Sequence, residues 1–323
     1  MKTLSIIIPV YNAGKYLTRC IDSLLKYDEI NEIVLVDDGS TDSSLDICNS
    51  YSKKHKKIKV YSQKNSGPSS ARNYGITVCQ SEYMMFVDSD DYVNENFNKV
   101  LDVLKEKIFD YYLFDYQIEK IGKKSFEDSE KFTEYMFQKS DKERIKKLIV
   151  SEKINSPCTK IYKRDIIINN NIKFNEKINL AEDLLFNLQY LEKCKNIYES
   201  NLKFYNYCYN DIESLTKKFR SKKYEVLMRA NDEIRKVLSQ LGLEELQYYL
   251  IYKNLFSVFC DLHKSDCPYS KKQKIDFIKE KRKKHKPKII LNCGFLMSLW
   301  TVIYFLESAQ IIYWCTKMYS NCK

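Results

Sequence analysis

Apolar positions follow two rhythms over the first hundred residues. "LSIIIPV" (4–10) is an unbroken apolar run, as expected of a strand buried on both faces. Leu17, Cys20, Ile21, Leu24 and Leu25 then fall on one helical stripe. "EIVLVD" (32–37) is a second buried strand, and the "STDSS" after it supplies N-cap candidates for a helix running to about His55. "KIKVY" (57–61) reads as a third strand, "SGPSSARNYGI" opens a helix with Pro68 in its first turn, and "EYMMFVD" (82–88) reads as a fourth strand. Strands separated by single helices predict right-handed crossovers, hence an α/β fold with a mostly parallel sheet and helices on both faces.

Beyond residue 110 the rhythm loosens. "YYLFDYQI" (111–118) is a further strand candidate, 122–142 is polar and reads as a loop, and helical patterning dominates from about 141. The stretch 221–263 predicts long helices, so the chain divides into a domain over 1–220 and a helical region over 221–323. Within the latter, 289–306 ("IILNCGFLMSLWTVIYFL") is 18 residues without a charge, directly after a basic run. That pattern favours a helix lying in a membrane interface over a bilayer span or a terminal core helix.

Charge sharpens this division. The net charge is +11, yet residues 1–110 sum to −2, while 262–288 carries 11 basic and 3 acidic residues. The front half is not basic enough to track nucleic acid; the tail suits an anionic membrane surface. Eleven cysteines without a CxxC pair, and no signal peptide, predict reduced cytoplasmic thiols rather than a disulfide scaffold. Three scattered histidines argue against a zinc site.

In open parallel sheets, ligands bind beyond the carboxyl ends of the strands. That rule selects "PVYNAG", "DDGSTD", "KNSGPSSARN" and "DSDD". Asp37 and Asp38 offer acceptors for a base or ribose, Gly39 permits close backbone approach, and Arg72 supplies a cation. Asp88, Asp90 and Asp91 offer oxygen ligands for a hard divalent ion, Mn²⁺ or Mg²⁺. Each stretch taken alone also reads as turn and helix-cap chemistry. The P-loop and GxGxxG fingerprints are absent, and Val93 and Lys99 stand where an EF-hand needs Gly and Glu.

"SIIIPVYNAGKYL", "VLVDDGSTDSS", "NSGPSSARNYGI" and "YMMFVDSDD", in this order, resemble the inverting family 2 glycosyltransferases of GT-A fold, bacterial surface-polysaccharide type. The resemblance covers about residues 3–100 closely and 101–220 more loosely. It implies a Rossmann-like, mostly parallel sheet with a helical C-terminal extension. It also implies that Pro9, Val10, Tyr11, Asn12, Asp37, Asp38 and Gly39 surround the nucleotide, and that Arg72 and Asn73 line its pocket or brace its loop. Asp88-Ser89-Asp90 would be the DXD motif, with Asp90 on the metal and Asp88 on the ribose or a metal-bound water. In "NLAEDLLFN", Asp183 matches the family's catalytic base, with Glu182 beside it. Many relatives have an arginine before a Ser-x-Thr late in the domain; "FYNYCYNDIESLT" has none, leaving Lys217, Lys218 or Arg220 as substitutes.

The expected reaction is transfer of a hexose or N-acetylhexosamine from a nucleotide sugar, UDP-linked, to a glycan or lipid-linked acceptor. The expected setting is capsule or lipopolysaccharide synthesis, peripheral on the cytoplasmic face of the plasma membrane. A nucleotidyltransferase and a non-catalytic nucleotide-sugar-binding scaffold are the rival readings; the missing glycine-rich phosphate loop argues against the first, and the intact acids against the second.

Overall fold

The computed structural model describes residues 3–120, 132–209, 218–285, 295–305 and 308–321. The chain forms two compact units, Met1–Asn210 and Asp211–Lys323. The first begins β1 (Leu4–Val10), α1 (Leu17–Leu25), β2 (Ile30–Asp37), α2 (Ser44–Lys54), β3 (Ile58–Ser62), α3 (Pro68–Val78) and β4 (Tyr83–Phe86). It continues with β5 (Tyr92–Val93), α4 (Phe97–Glu106), β6 (Tyr111–Lys120), β7 (Glu134–Gln138), α5 (Lys142–Val150) and β8 (Lys160–Lys163). α6 (Arg164–Asn169), α7 (Glu182–Lys193) and β9 (Asn196–Tyr209) complete it.

These strands form one sheet in the order β3-β2-β1-β4-β8-β6-β9-β5, with β7 also pairing β9. β3, β2, β1 and β4 are parallel, as their buried apolar runs require. Ile6, Ile7, Ile8, Val34, Leu35 and Val36 are fully buried, and burying each such side chain contributes about 1.5–3 kcal/mol relative to exposure. Gly75 brings α3 hard against β1, because a Cβ there would run into Ile7.

Beyond β4 the sheet turns mixed. β8 runs antiparallel to both β4 and β6, and β9 pairs parallel with β6 but antiparallel with β5 and β7. The sequence pattern gave no sign of β8 or β9 inside the stretch read as helical. It also placed a loop over 122–142, where 134–138 is strand β7 and 121–131 lie outside the described residues. Antiparallel β8 has a positional effect: its first residue, Lys160, starts at the edge where β4 ends, because Met85 pairs with Ile161.

The second unit is helical: α8 (Lys223–Leu241), α9 (Leu246–Asp261), α10 (Lys271–Lys284), α11 (Phe295–Phe305) and α12 (Ala309–Asn321). α8 stops at Gly242, whose φ of 65° suits a left-handed cap. α10 opens with a capping box between Ser270 and Gln273. The apolar stretch 289–306 is described only in part. Residues 286–294 and 306 lie outside the described residues, and α11 has a core face: Trp300 and Tyr304 are buried, and the Trp300 indole N–H donates to the Tyr252 carbonyl at 2.9 Å. Among the described residues no helix is long and apolar enough to cross a membrane. Every described cysteine is a free thiol.

Candidate functional site

Because β1 to β4 run parallel, the segments following them meet at one edge of the sheet. At the β1 end, Val10 is buried, Pro9 is half-buried and Tyr11 is half exposed. Asn12 takes a left-handed φ of 48°. Its Oδ1 accepts from the Thr41 N–H at 2.8 Å and its own N–H donates to Ser40 Oγ at 3.1 Å, which ties this turn to the one after β2.

Asp37 and Asp38 at the end of β2 are buried. Asp37 Oδ1 accepts from the Ser40 N–H at 3.3 Å, closing its own turn. Both Asp38 oxygens are engaged: Oδ1 accepts from Gln63 Nε2 and the Ser66 N–H, and Oδ2 from the Gly67 N–H, each at 2.8 Å. Asp38 thus fixes the loop that leads into α3. Gly39, at φ +73°, sits where a Cβ would press on the backbone of Asn65.

α3 carries the central cation. Arg72 is buried, with its guanidinium 5.4 Å from the centre of the Phe174 ring, which stacks on Phe186 of α7. One nitrogen, Nη2, donates to Asp88 Oδ1 at 2.8 Å, and the other, Nη1, to Asp183 Oδ1 at 3.2 Å. Burial opposes the charge, but the Asp183 and Asp88 carboxylates outweigh it and lift the guanidinium pKa above its ordinary value. Asn73 braces the same neighbourhood: its side chain exchanges hydrogen bonds with the backbone of Phe174 and donates to Glu176.

The acidic turn after β4 is pinned from both sides. From β9, Tyr205 accepts from the Asp88 N–H at 3.1 Å and donates to Asp91 Oδ2 at 2.7 Å, while the Cys208 N–H reaches Asp91 Oδ1 at 2.8 Å. From α1, Arg19 Nη2 donates to the Asp90 carbonyl at 3.0 Å. Burial first, then the Asp88 and Asp90 charges, raise the pKa of Asp91, and both of its oxygens are taken up by Tyr205 and Cys208. Asp90 stands exposed at the tip, next to the half-buried Ser89. Although the residue reaches solvent, the protein packed around the turn still desolvates its carboxylate, and that, then the Asp88 charge, raises its pKa too.

These residues fit a divalent ion of limited demand. Among the described residues the Asp90 carboxylate has no hydrogen bond or ion pair from another residue, and Asp88 has committed only Oδ1. No group of three or more His, Cys, Asp or Glu side chains forms a protein-only cage among the described residues. Mg²⁺ and similar ions need none, since they take one or two carboxylates and complete their shell with substrate phosphates and water.

Asp183 lies in the first turn of α7, after Ala181, whose left-handed φ of 65° is unusual for a residue with a side chain. Its carboxylate is about one-third exposed, and Oδ2 accepts no hydrogen bond from a described residue. Desolvation pushes its pKa up to about 6, with Glu182 and Asp88 adding to the rise and Arg72 and Lys160 opposing it. A carboxylate of this proton affinity, with one oxygen held and the other open, is suited to taking a proton from a hydroxyl near neutral pH.

Three contributors escaped the sequence reading. Lys160 is fully buried, and its Nζ donates to Thr159 Oγ1 at 3.1 Å. Burial pulls its pKa down to about 7. Arg19 and Tyr205 hold the acidic turn from 71 and 117 residues away, a distance at which no local pattern signals a partner. Of the basic residues proposed to replace the family's arginine, Lys217 lies outside the described residues, as do Ser214 and Thr216; Lys218 and Arg220 belong to the second unit.

A family model described as glycosyl transferase family 2 matches residues 5–169. Glycosyltransferase GlyG of Streptococcus pneumoniae is 45% identical over 100 residues, which is 30% of this chain and 33% of that protein. A poly(ribitol-phosphate) beta-glucosyltransferase of Bacillus spizizenii is 33% identical over 204 residues, 60% of this chain and 30% of that one. EpsJ of Bacillus subtilis, an uncharacterized glycosyltransferase, is 31% identical over 197 residues, 60% of this chain and 57% of its own length. The chain therefore spans between about a third and just over half the length of these relatives. Among solved structures, residues 1–349 of Staphylococcus aureus TarS, in complex with UDP-GlcNAc, superpose with a TM-score of 0.68 at 23% identity, covering 100% of this chain and 92% of that one. At that identity the likeness establishes the shared fold.

Proposed function

The chain belongs to glycosyltransferase family 2, and on that premise we propose that it moves a hexose or N-acetylhexosamine from a UDP-sugar to a hydroxyl of a glycan or lipid-linked polymer, with inversion at the anomeric carbon. The observation that carries this reading is the Arg72 clamp, which joins the turn after β4 to the head of α7 through Asp88 and Asp183. Two carboxylates 95 positions apart in the chain meet on one buried cation at the edge where ligands of such sheets bind. The names of the relatives add weight: one acts on poly(ribitol phosphate), and the TarS structure holds UDP-GlcNAc.

In this reading Asp183 takes the acceptor's proton on Oδ2 while Arg72 holds Oδ1 and keeps the carboxylate aimed. The freed oxygen attacks the anomeric carbon opposite the departing UDP. Tyr11 and the Asp37–Gly39 turn border the base, and Asp38 places the 63–67 loop alongside it. Asp90, assisted by Asp88, would hold Mn²⁺ or Mg²⁺, whose contribution is positive charge against the departing diphosphate. Arg19 and Tyr205 keep Asp90 and Asp88 in place without touching substrate.

The test is transfer assayed with a panel of UDP-sugars. Asp183→Asn should lower turnover by about 10²–10⁴, the usual worth of a positioned base, while calorimetric UDP binding persists. The product should be UDP rather than pyrophosphate, which separates this reaction from nucleotidyl transfer. Full transfer by Asp183→Asn would remove Asp183 from the mechanism and turn attention to Glu182.

A further inference from the structure

We propose that the outer face of α12, in the second unit, docks on an anionic lipid bilayer. α12 is two-sided. Ile312, Tyr313 and Thr316 are buried, and Thr316 Oγ1 lies 3.0 Å from His263 Nε2. Opposite them, Ile311, Trp314 and Met318 are 45%, 49% and 68% exposed, at the three- and four-residue spacing that makes one helical stripe. Three large apolar side chains in a row facing water are a standing cost unless something covers them.

The charges around this stripe identify the cover. α11 and α12 contain no acidic residue, and Lys317 is the one basic residue in them. Lys271 of α10 and Lys317 place their ammonium groups 4.9 and 5.2 Å from the centre of the Trp314 ring. Burial first, then Lys274 and Lys317, lower the His263 pKa to about 4, so the field on this side of the unit is positive. Elsewhere in the unit, lysines meet carboxylates: Lys223 and Lys264 both pair with Asp261. Lys271, Lys274 and Lys317 have no ion pair among the described residues.

An apolar stripe with an exposed indole, edged by unpaired lysines, matches a bilayer of anionic lipids on both counts. Acyl chains receive Ile311, Trp314 and Met318, and headgroup phosphates receive the ammonium groups. A neutral apolar partner would leave the cations without counter-charge. The sequence pattern placed the interfacial helix at 289–306; α11 buries Trp300 and Tyr304 and leaves Leu299 and Val302 exposed, while α12 carries the exposed stripe that lysines edge.

The protein carries its own reporter. It has two tryptophans: Trp300 is 3% exposed, whereas Trp314 sits at the centre of the face. With the full chain, vesicles of phosphatidylglycerol and phosphatidylcholine carrying brominated acyl chains should quench part of the tryptophan emission. Trp314→Phe should abolish that quenching while still sedimenting with the vesicles. Trp314→Glu, and separately Lys271→Glu with Lys317→Glu, should lower co-sedimentation by at least about tenfold, given roughly a fivefold loss per basic residue near a charged surface. Far-UV circular dichroism checks that these variants keep their helices. Absence of quenching, or equal binding to pure phosphatidylcholine, overturns the proposal. So does concentration-dependent dimerisation without lipid that Trp314→Glu abolishes, since the face would then belong to a second copy of the chain.

Discussion

At the scale of single residues, proton affinity decides what the site can do. Asp183 is held near pKa 6, so turnover should fall below about pH 6 as the base becomes protonated. Lys160, buried at the start of β8, is one of the two cations that lower the proton affinity of Asp183; Arg72 of α3 is the other, while Glu182 of α7 and Asp88 beside β4 act against them. Cys158, Asp115, Lys153 and Asp183 are the titratable groups that act on Lys160 itself. Lys160→Met should therefore move the acidic limb of the kcat profile to higher pH, and Lys160→Arg should leave it near its original place. A merely structural loss would lower the rate at every pH without moving the limb. Stability carries the opposite sign. Asp183 binds its proton more tightly folded than unfolded, so its contribution favours the fold below the unfolded carboxylate range and is lost as pH rises through about 6. Asp183→Asn should thus melt no lower than the native chain at pH 7.5, with the difference shrinking as pH falls through 6; a calorimetric pH series checks this.

Elements differ in how plainly the sequence announces them. β1, β2, β3 and β4 were legible because strands covered on both faces leave unbroken apolar runs, and α3 because Pro68 marks its first turn. β8 has four residues, too few for a period, and owes its place to β4 and β6 on either side. β9 interleaves Asn196, Glu199, Asn201, Lys203 and Asn206 with its apolar residues, which hides a strand whose polar groups are bonded to neighbouring chain. The four loops at the sheet edge were legible for the same reason as the strands before them. Asp183 was singled out only through the family resemblance, because an acid in a first helical turn has an ordinary explanation. Gly75 makes the packing of α3 testable. Alanine in a helix interior usually stabilises by about 0.8–1 kcal/mol over glycine. Here the added methyl meets Ile7 of β1, and overpacking of that kind costs about 1–3 kcal/mol. Gly75→Ala should lower the urea midpoint, and Gly75→Ala with Ile7→Val should recover part of the loss.

For the molecule as a whole, charge is divided unevenly along the chain. The first 110 residues, with a net of −2, hold the acidic turn, and the remaining residues carry the positive excess. UDP with Mn²⁺ should stabilise the full chain by about 2.7 kcal/mol at a hundredfold excess over Kd, or roughly 5–11 °C in Tm for domains of this size. Chelation should reverse most of that gain, and Asp90→Ala should show little metal-dependent part of it. A Mn²⁺-dependent gain in Asp90→Ala as large as in the native chain would take Asp90 out of the metal site. The clamp that β9 places on the acidic turn has a consequence for synthesis. Asp91 leaves the ribosome 117 residues before Cys208, whose N–H caps its carboxylate, and Asp88 the same distance before Tyr205. A nascent chain that already displays every signature segment of the family still lacks the groups that hold its acids in register. Donor binding should therefore switch on late, in one step, as the last strand of the sheet zips into place.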